Sequence, residues 1–528
     1  MTKVEKIKNQ IKNGKTCLGI ELGSTRIKAI LIDEEMHPIA SGSYNWENRL
    51  EKGVWTYSLE DVWKGLSSCY ASIKEDIKKN YSIIPKSYRA IGISGMMHGY
   101  MAFDKNQKLL VPFRTWRNTM TKEASEKLTN LFSFPVAQRW SIAHLYQAML
   151  NKEPHVKDIC YLNTLAGYVH WKLTDDFVLG IGDASGMFPI DSQERMYNRN
   201  YIEKFDLLSR EYKWKIENLL PRPLKAGELA GRLTFEGARL IDREGDLEAG
   251  ISLCPAEGDA GTGMVATNSV KPKSGNVSAG TSVFAMIILE NKLKKLYSKL
   301  DMVTTPEGWP VAMAHANNCT GEYDQWMSLF REVIEVTGGS ISNEKLYDCL
   351  LETALKGDND CGGLLNYPYL SGEHLTNFTE GRPLLVRKAN SNLNLANFMQ
   401  AQLFSSLCAL RVGLDILFNE EGVKLDFLTG QGGFFKTKEV GLKMMASATH
   451  TPCRILSSAG EGGAWGIAIL ASFLNQNTDL GTYLDTKVFK ASKSSLIEAS
   501  SENIKGFEKF YTRYKEGLPI EKAAIENL

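Results

Sequence analysis

The residues in this sequence best suited to chemistry are one carboxylate and the glycine turn that follows it. Asp259 stands in the segment GDAGTG, and the turn at 275–282 leads into an apolar run that ends at Leu289. Glycines in such a turn let backbone N–H groups converge on an anion, because no Cβ stands in the way. A carboxylate can accept the proton of a reacting hydroxyl group. The pattern predicts a base beside a phosphate-binding hairpin; the alternative is a Gly/Ser surface turn with a solvated Asp.

A second turn of the same kind lies near the N-terminus. Apolar runs at 17–22 and 27–33 flank Gly23, Ser24 and Thr25, which is typical of a β-hairpin. The Gly-Lys-Thr at 14–16 does not complete a P-loop, because Asn9 stands where the first glycine of that motif belongs. Both glycine turns are therefore predicted to connect β-strands.

The paired hairpins are similar to those of the actin-like ATPases, and the chain resembles the FGGY carbohydrate kinases over residues 16–475. The first hairpin of that family reads G-x-D-x-G-T-S-x-x-K, and this chain has GIELGSTRIK. The Gly-Asp element and glycine turns at 430–433 and 459–466 follow in family order. The resemblance implies an α/β fold with two actin-like, ribonuclease H-like domains and a nucleotide and sugar cleft between them. The predicted division is an arm at 1–15, domains at 16–268 and 269–480, and a C-terminal surface tail at 481–528.

Local patterns predict the elements that position these residues. A strand over 39–44 follows the first hairpin, and Ser58 is the expected N-cap of a helix that runs to about Lys79. A buried strand then leads to Ser94. Apolar residues at helical spacing predict a long core helix over 397–418.

Composition narrows the class of protein. The length of 528 residues favours two domains. With 62 basic and 61 acidic residues, the chain has no net positive charge large enough to indicate binding to nucleic acid. The nine cysteines form no C-x-x-C pair, which fits reduced thiols in the cytoplasm. The N-terminus is charged and lacks a secretory apolar region, and no run of about 18 apolar residues predicts a membrane span. A homodimer is a possible assembly.

The loop SGMMHG at 94–99 is the predicted sugar site. In xylulokinase-like members of the family a similar S-G-Q-M-H-G contacts the ketose, which implies that role for Met97 and His98; Met96 replaces the Gln. The alternative is a histidine that only braces the loop. Trp116 and Arg117 lie in the segment that resembles a second sugar-binding motif, and a core Trp with surface polar neighbours explains that segment equally well.

The resemblance also implies ATP and Mg²⁺. Glu21 stands where the family has the Asp that supports the magnesium ion. Asp259 is the implied catalytic base and contacts the attacking hydroxyl. The implied nucleotide-binding residues are those of the glycine turns: Gly23, Ser24, Thr25, Lys28, Gly280, Thr281, Ser282, Gly432, Gly433 and Gly462. For the turns at 430–433 and 459–466, the alternative is an ordinary connection between a strand and a helix with no nucleotide contact.

The predicted function is ATP-dependent phosphorylation of a terminal hydroxyl of a ketopentose. The Met97–His98 pair favours D-xylulose, while the departures at Met96, Glu21 and Asn118 leave L-ribulose or another ketose or polyol open. A nucleotide-binding regulator or chaperone of the actin-like superfamily is the rival from another class. Asp259 together with the sugar loop argues against that rival and against a relative that has lost catalysis.

Overall fold

The computed structural model describes residues 2–437, 439–456, 462–492 and 496–528. The strands are β1 Cys17–Leu22, β2 Arg26–Ile32, β3 Pro38–Asn45, β4 Arg49–Glu51, β5 Val54–Thr56, β6 Ala90–Gly95, β7 Met101–Phe103, β8 Tyr161–Asn163, β9 Val178–Gly180, β10 Ile190–Asp191, β11 Met196–Tyr197, β12 Arg222–Leu224, β13 Ser252–Leu253, β14 Glu257–Gly258, β15 Ser274–Ala279, β16 Val283–Ile288, β17 Asp301–Thr304, β18 Pro310–Ala316, β19 Leu365–Tyr367, β20 Leu384–Val386, β21 Phe427–Gln431 and β22 Cys453–Arg454. The α-helices are α1 Lys3–Lys12, α2 Leu59–Tyr81, α3 Lys122–Phe132, α4 Ser141–Leu150, α5 Leu165–Thr174, α6 Ile181–Ala184, α7 Arg199–Leu208, α8 Ile216–Leu219, α9 Phe235–Ile241, α10 Asp259–Ala266, α11 Gly321–Val336, α12 Asn343–Ala354, α13 Leu395–Asp415, α14 Val440–Thr449, α15 Gly462–Ser472, α16 Leu480–Tyr483 and α17 Ser501–Asn527.

The chain forms two compact units. Unit 1 comprises residues 1–270, 301–311 and 460–491, and unit 2 comprises 271–300, 312–459 and 492–528, as far as these ranges are described. Unit 1 thus recruits two segments from the sequence range 269–480, which was predicted as a single C-terminal domain.

The main sheet of unit 1 is built around the first glycine hairpin. Its strand order is β13-β6-β1-β2-β3, and β14 also pairs with β6. β1 is antiparallel to β2 and parallel to β6, which places Glu21 beside Lys28 on one side and Ser94 on the other. Ser58 caps α2 by accepting the N–H of Asp61, as predicted.

Helix α15 packs against this sheet at a position that requires glycine. A Cβ on Gly19 of β1 would lie 2.1 Å from the carbonyl oxygen of Ala464, and one on Gly92 of β6 would lie 2.6 Å from Ile467. Since real Cβ atoms do not approach other atoms so closely, these glycines let the helix and the sheet meet at backbone distance.

The sheet of unit 2 repeats the pattern. β15 is antiparallel to β16 and parallel to β21, and β21 is parallel to β22. In unit 1, β1 stands in the same relation to β2 and β6, and β6 is parallel to β13. The predicted pair of α/β domains, each with a glycine hairpin in its sheet, is confirmed.

The long helix predicted over 397–418 is also confirmed, as α13 with a π-helical turn to Glu420. Leu395–Glu420 is long and apolar enough to cross a membrane, but 78% of its apolar window is buried inside the protein. It is therefore accounted for as a core helix.

The prediction that 481–528 is a surface tail was wrong. Phe507, Phe510, Tyr511 and Tyr514 of α17 are fully buried or nearly so. The ring of Phe507 meets Phe404 of α13 edge to face at 5.0 Å. Charged residues cover the outer face of α17. Because they are numerous in the sequence, the segment was predicted to lie on the surface, and the stripe of aromatic residues that packs inward was not recognised.

Candidate active site

Asp259 begins α10, directly after the short strand β14. The parallel pairing of β14 with β6 places Gly258 opposite Gly95, so the base and the predicted sugar loop leave the same edge of the sheet. Asp259 Oδ1 accepts the N–H of Met97 at 3.2 Å and the N–H of Ala260 at 3.0 Å. The Asp259 side chain remains solvent-accessible. Crowding by protein raises the pKa of its carboxyl, and these N–H bonds limit the rise.

His98 is buried and held in a fixed orientation. Its φ of 72° lies in the left-handed region. Its Nδ1 lies 3.3 Å from the carbonyl oxygen of Gly186, and its ring stacks on Trp140 at 6.4 Å. Burial, followed by the positive charge of Arg139, lowers the pKa of His98 to about 3. Because a carbonyl oxygen can only accept, Nδ1 carries the proton and Nε2 is the acceptor of a neutral imidazole. His98 is thus suited to accept a hydrogen bond from a hydroxyl group.

Met97 packs between two glycines. A Cβ on Gly258 would lie 2.9 Å from Met97 Cγ, and a Cβ on Gly186 would lie 2.8 Å from its Cε. The structure therefore brings together the base, the Met-His loop and the turn at 182–186.

A pair of buried carboxyl groups lies behind the base. Glu257 accepts the N–H of Gly182 at 3.2 Å and the N–H of Asp183 at 3.0 Å. The Oδ2 of Asp183 accepts the hydroxyl of Thr164 at 2.6 Å, while its Oδ1 is buried without a hydrogen-bond partner. Burial raises the pKa of Glu257 to about 8 and that of Asp183 to about 7. Glu257 was not predicted as a site residue, although its place two residues before the base was an available signal.

Arg139 is a second group that sequence reasoning missed. Its backbone carbonyl accepts the N–H of Gly99, the residue after His98, at 2.9 Å. Its guanidinium donates from Nη2 to Asp301 Oδ2 at 2.5 Å, and both side chains are 27% exposed. Its positive charge adds to the fall in the pKa of His98 and limits the rise in the pKa of Asp259.

Glu21 is the penultimate residue of β1, two residues before Gly23 of the first glycine turn. Its Oε2 accepts the N–H of Ala464 in the first turn of α15 at 3.1 Å. Burial and the nearby charge of Asp259 raise the pKa of the Glu21 carboxyl. Glu21 therefore links the hairpin to α15 and lies within electrostatic range of the base.

The first glycine turn is held in place by hydrogen bonds with Arg26, Trp46 and Tyr57. Gly23 donates its N–H to Arg26, and its carbonyl accepts the indole N–H of Trp46 at 2.7 Å. The hydroxyl of Tyr57 donates to the carbonyl of Ser24 at 2.5 Å. Trp46 and Tyr57 stack at 4.2 Å, and the side chains of Ser24 and Thr25 remain exposed. This arrangement leaves the turn accessible to an anion.

In unit 2, the predicted nucleotide residues are held by backbone contacts. Gly280 donates to Ser282, and the N–H groups of Cys319 and Thr320 donate to the carbonyls of Thr281 and Gly280. Gly432 has a φ of 98°, and a Cβ there would lie 2.3 Å from the carbonyl of Ala279. This turn therefore requires glycine for its geometry, and Gly433 begins the short 3₁₀ turn that follows.

The last predicted turn is only partly described. Residues 459–461 of the 459–466 turn lie outside the described residues. Gly462 has a φ of 71° and begins α15, which belongs to unit 1 rather than to the predicted C-terminal domain.

The second predicted sugar motif has mainly structural contacts. The guanidinium of Arg117 lies 3.9 Å above the ring of Trp55, and Asn118 is buried with its side chain bonded to the backbone of Trp55. Trp116 is 42% exposed. The contacts of Arg117 and Asn118 thus hold this segment against β5, and a sugar contact for Trp116 and Arg117 stays a prediction.

Comparison with known proteins matches two consecutive parts of the chain to the two domains of a single family. Residues 16–260 match the N-terminal domain, and residues 275–474 the C-terminal domain, of the FGGY family of carbohydrate kinases. A xylulose kinase from Haemophilus influenzae is 22% identical over 510 residues, which cover 94% of this chain and 98% of that protein.

Solved structures share the fold at low identity. A ligand-bound xylulose kinase from Lactobacillus acidophilus gives a TM-score of 0.77 at 15% identity, covering 97% of this chain and 99% of the other. A gluconate kinase from the same organism also gives 0.77, at 16% identity, covering 95% and 97%. Because the two scores are equal, the overall fold does not distinguish a neutral sugar from a sugar acid.

Proposed function

Because the chain belongs to the FGGY family of carbohydrate kinases, we propose that it transfers the γ-phosphoryl group of ATP to a terminal hydroxyl of a ketopentose, with D-xylulose as the favoured substrate. The observation that carries this proposal is the hydrogen bond between Asp259 and the N–H of Met97, at 3.2 Å. It joins the only group assigned as a base to the loop assigned to the sugar.

The chemistry assigned to the chain's residues is simple. The sugar hydroxyl loses its proton to Asp259 while its oxygen bonds to the γ-phosphorus, and the bond from that phosphorus to the β,γ-bridging oxygen breaks. The bridging oxygen keeps the electron pair and leaves as part of ADP. The Nε2 of His98 accepts a hydrogen bond from a second hydroxyl and so fixes the orientation of the sugar.

Glu21 is the residue proposed to support Mg²⁺. The described residues contain no cluster of three or more His, Cys, Asp or Glu side chains suited to a metal. A single carboxylate still fits this ion, because Mg²⁺ in kinases is held by one or two carboxylates, substrate phosphates and water. When bound, it would neutralise the negative charge of the phosphates.

The exposed turn at Gly23, Ser24 and Thr25, with Lys28, is proposed to bind phosphate groups of ATP. Gly280, Thr281 and Ser282 are also proposed to bind phosphate groups, and Gly432, Gly433 and Gly462 to bind the adenosine. The nine cysteines are all free thiols, which supports the cytoplasm as the compartment.

An ATP-coupled assay with a panel of sugars tests the proposal. The panel contains D-xylulose, L-ribulose, glycerol, a hexose and D-gluconate, and D-xylulose should give the highest kcat/KM. L-ribulose is the second candidate, because Met96, Glu21 and Asn118 depart from the family pattern that favours D-xylulose. Good activity on glycerol, hexose or gluconate with both ketopentoses inert would overturn the ketopentose assignment.

A further inference from the structure

Arg139 and Asp301 form a charged pair that the proposed mechanism does not use. Arg139 precedes Trp140, whose ring stacks on His98, and its carbonyl holds the N–H of Gly99. Arg139 and Trp140 therefore contact the sugar loop at two neighbouring residues, Gly99 and His98. The same loop contacts the base, because the N–H of Met97 donates to Asp259, so Arg139 lies against the loop that joins the base to the sugar site.

We propose that the guanidinium of Arg139 binds hydroxyl groups of the sugar, and that the Arg139–Asp301 pair restricts the enzyme to neutral sugars and excludes sugar acids. The inference rests on the proposed kinase function and adds the class of substrate.

The donors of Arg139 suit this task. A guanidinium has five N–H donors in a rigid fork, and Asp301 accepts from Nη2. The side chain is 27% exposed, so part of the fork reaches solvent while the ion pair fixes its direction. His98 Nε2 accepts and Arg139 donates, and together they provide both partners that a polyol with neighbouring hydroxyls needs.

The charges argue against an anionic substrate. Asp301 Oδ2 lies 2.5 Å from Arg139 Nη2 and compensates its positive charge, and the carboxyl of Asp259 bonds to the sugar loop at Met97. A sugar acid would bring a further carboxylate to a place without an uncompensated cation, and like charges repel. This separates the two classes represented by the xylulose kinase and the gluconate kinase of equal structural similarity.

The first experiment measures Arg139→Ala and Arg139→Lys in the full-length enzyme. Arg139→Ala should raise the KM for D-xylulose at least about tenfold, the loss of one charged hydrogen bond, with the KM for ATP changed less than about twofold. Arg513→Ala is the matched control, since Arg513 makes an ion pair with Asp360 in unit 2 and is 26% exposed. It should leave both KM values unchanged.

Deoxy-sugars separate contact from scaffolding. Each monodeoxy derivative of D-xylulose is measured with the wild type and with Arg139→Ala. If Arg139 binds a hydroxyl, removing that hydroxyl should weaken kcat/KM for the wild type but not further for the variant. If the loss of kcat/KM from removing a hydroxyl and the loss from Arg139→Ala multiply for every derivative, Arg139 contacts none of these hydroxyls. Its role would then be structural only, which would overturn the proposal.

Asp301→Asn tests the charge argument. It leaves Arg139 uncompensated, so inhibition by D-xylonate, the five-carbon sugar acid, should become at least about tenfold stronger than for the wild type. Unchanged inhibition, or a sugar acid as the best substrate of the wild type, would overturn the inference without affecting the kinase assignment.

Calorimetric binding of D-xylulose without ATP keeps the two proposals distinguishable. A wild-type protein that binds D-xylulose but phosphorylates no sugar would overturn the proposed function, and the Arg139 variants would still be tested by affinity. A wild-type protein that binds no neutral sugar would overturn the Arg139 assignment.

Discussion

At the residue scale, Asp259 can be tested by a nearly isosteric change. Asp259→Asn keeps an oxygen to accept the N–H of Met97 but cannot take a proton. We expect turnover to fall at least about 10²-fold, the lower range for loss of a general base. ATP should bind as before, measured by calorimetry. Near-normal turnover on the best sugar would remove Asp259 from the role of base.

His98 requires a substitution that its backbone allows. Its φ of 72° is tolerated by Asn and strained for Ala, so His98→Asn is the better variant. The loss of one hydrogen bond should lower kcat/KM for the sugar about tenfold, with the KM for ATP unaffected. Since the pKa of His98 is about 3, variant and wild type should have parallel kcat/KM profiles between pH 6 and 8. An effect on ATP alone would assign the loop to the nucleotide.

Asp183 should make stability depend on pH. Burial raises its pKa from 3.8 to about 7, so the unfolded chain loses this proton first as the pH rises. The stability that the neutral form provides is complete below about pH 4 and is lost as the pH approaches 7. In Asp183→Asn, the amide oxygen can still accept the hydroxyl of Thr164. The free energy of unfolding in urea should therefore rise, relative to the wild type, between pH 4 and 7. A constant difference across this range would contradict the assignment.

At the element scale, the regular elements around the hairpins followed from the sequence, and the contacts between distant segments did not. Alternating apolar residues and the Ser58 cap predicted β1 to β3 and α2 because those signals are local. Arg139 and Asp301 carry no local motif. Their positions depend on contacts between distant segments, such as the ion pair that joins them, and one sequence does not reveal those contacts.

Helix α17 allows a matched test of core against surface. Phe507 is fully buried and Ile520 is 45% exposed on the same helix. Phe507→Ala should lower the free energy of unfolding by about 3–5 kcal/mol, because it leaves a cavity beside Phe404. Ile520→Ala should change it by less than about 0.5 kcal/mol. Urea titrations of both variants give the two free energies of unfolding. Equal effects would contradict the packing of α17 into the core.

At the scale of the whole molecule, segments that lie far apart along the chain belong to the same unit. The family resemblance predicted two consecutive domains, and each unit does contain one glycine hairpin in its sheet. Segments 301–311 and 460–491 nevertheless belong to unit 1, where they supply Asp301 and α15. Gly19 and Gly92 admit α15, but one sequence does not identify the segment that packs against a glycine.

Unit 1 should therefore not fold from its first 270 residues alone. The backbone of α15 lies against Gly19 and Gly92 of the central strands, and Ala464 bonds to Glu21. Without α15, the apolar face of β1 and β6 loses its cover, and buried apolar area is the main source of stability. A fragment of residues 1–270 should show no cooperative thermal unfolding by circular dichroism. Joining residues 460–491 to it through a flexible linker should restore a transition. A fragment that unfolds as cooperatively as the joined chain would show that α15 is dispensable for the fold of unit 1.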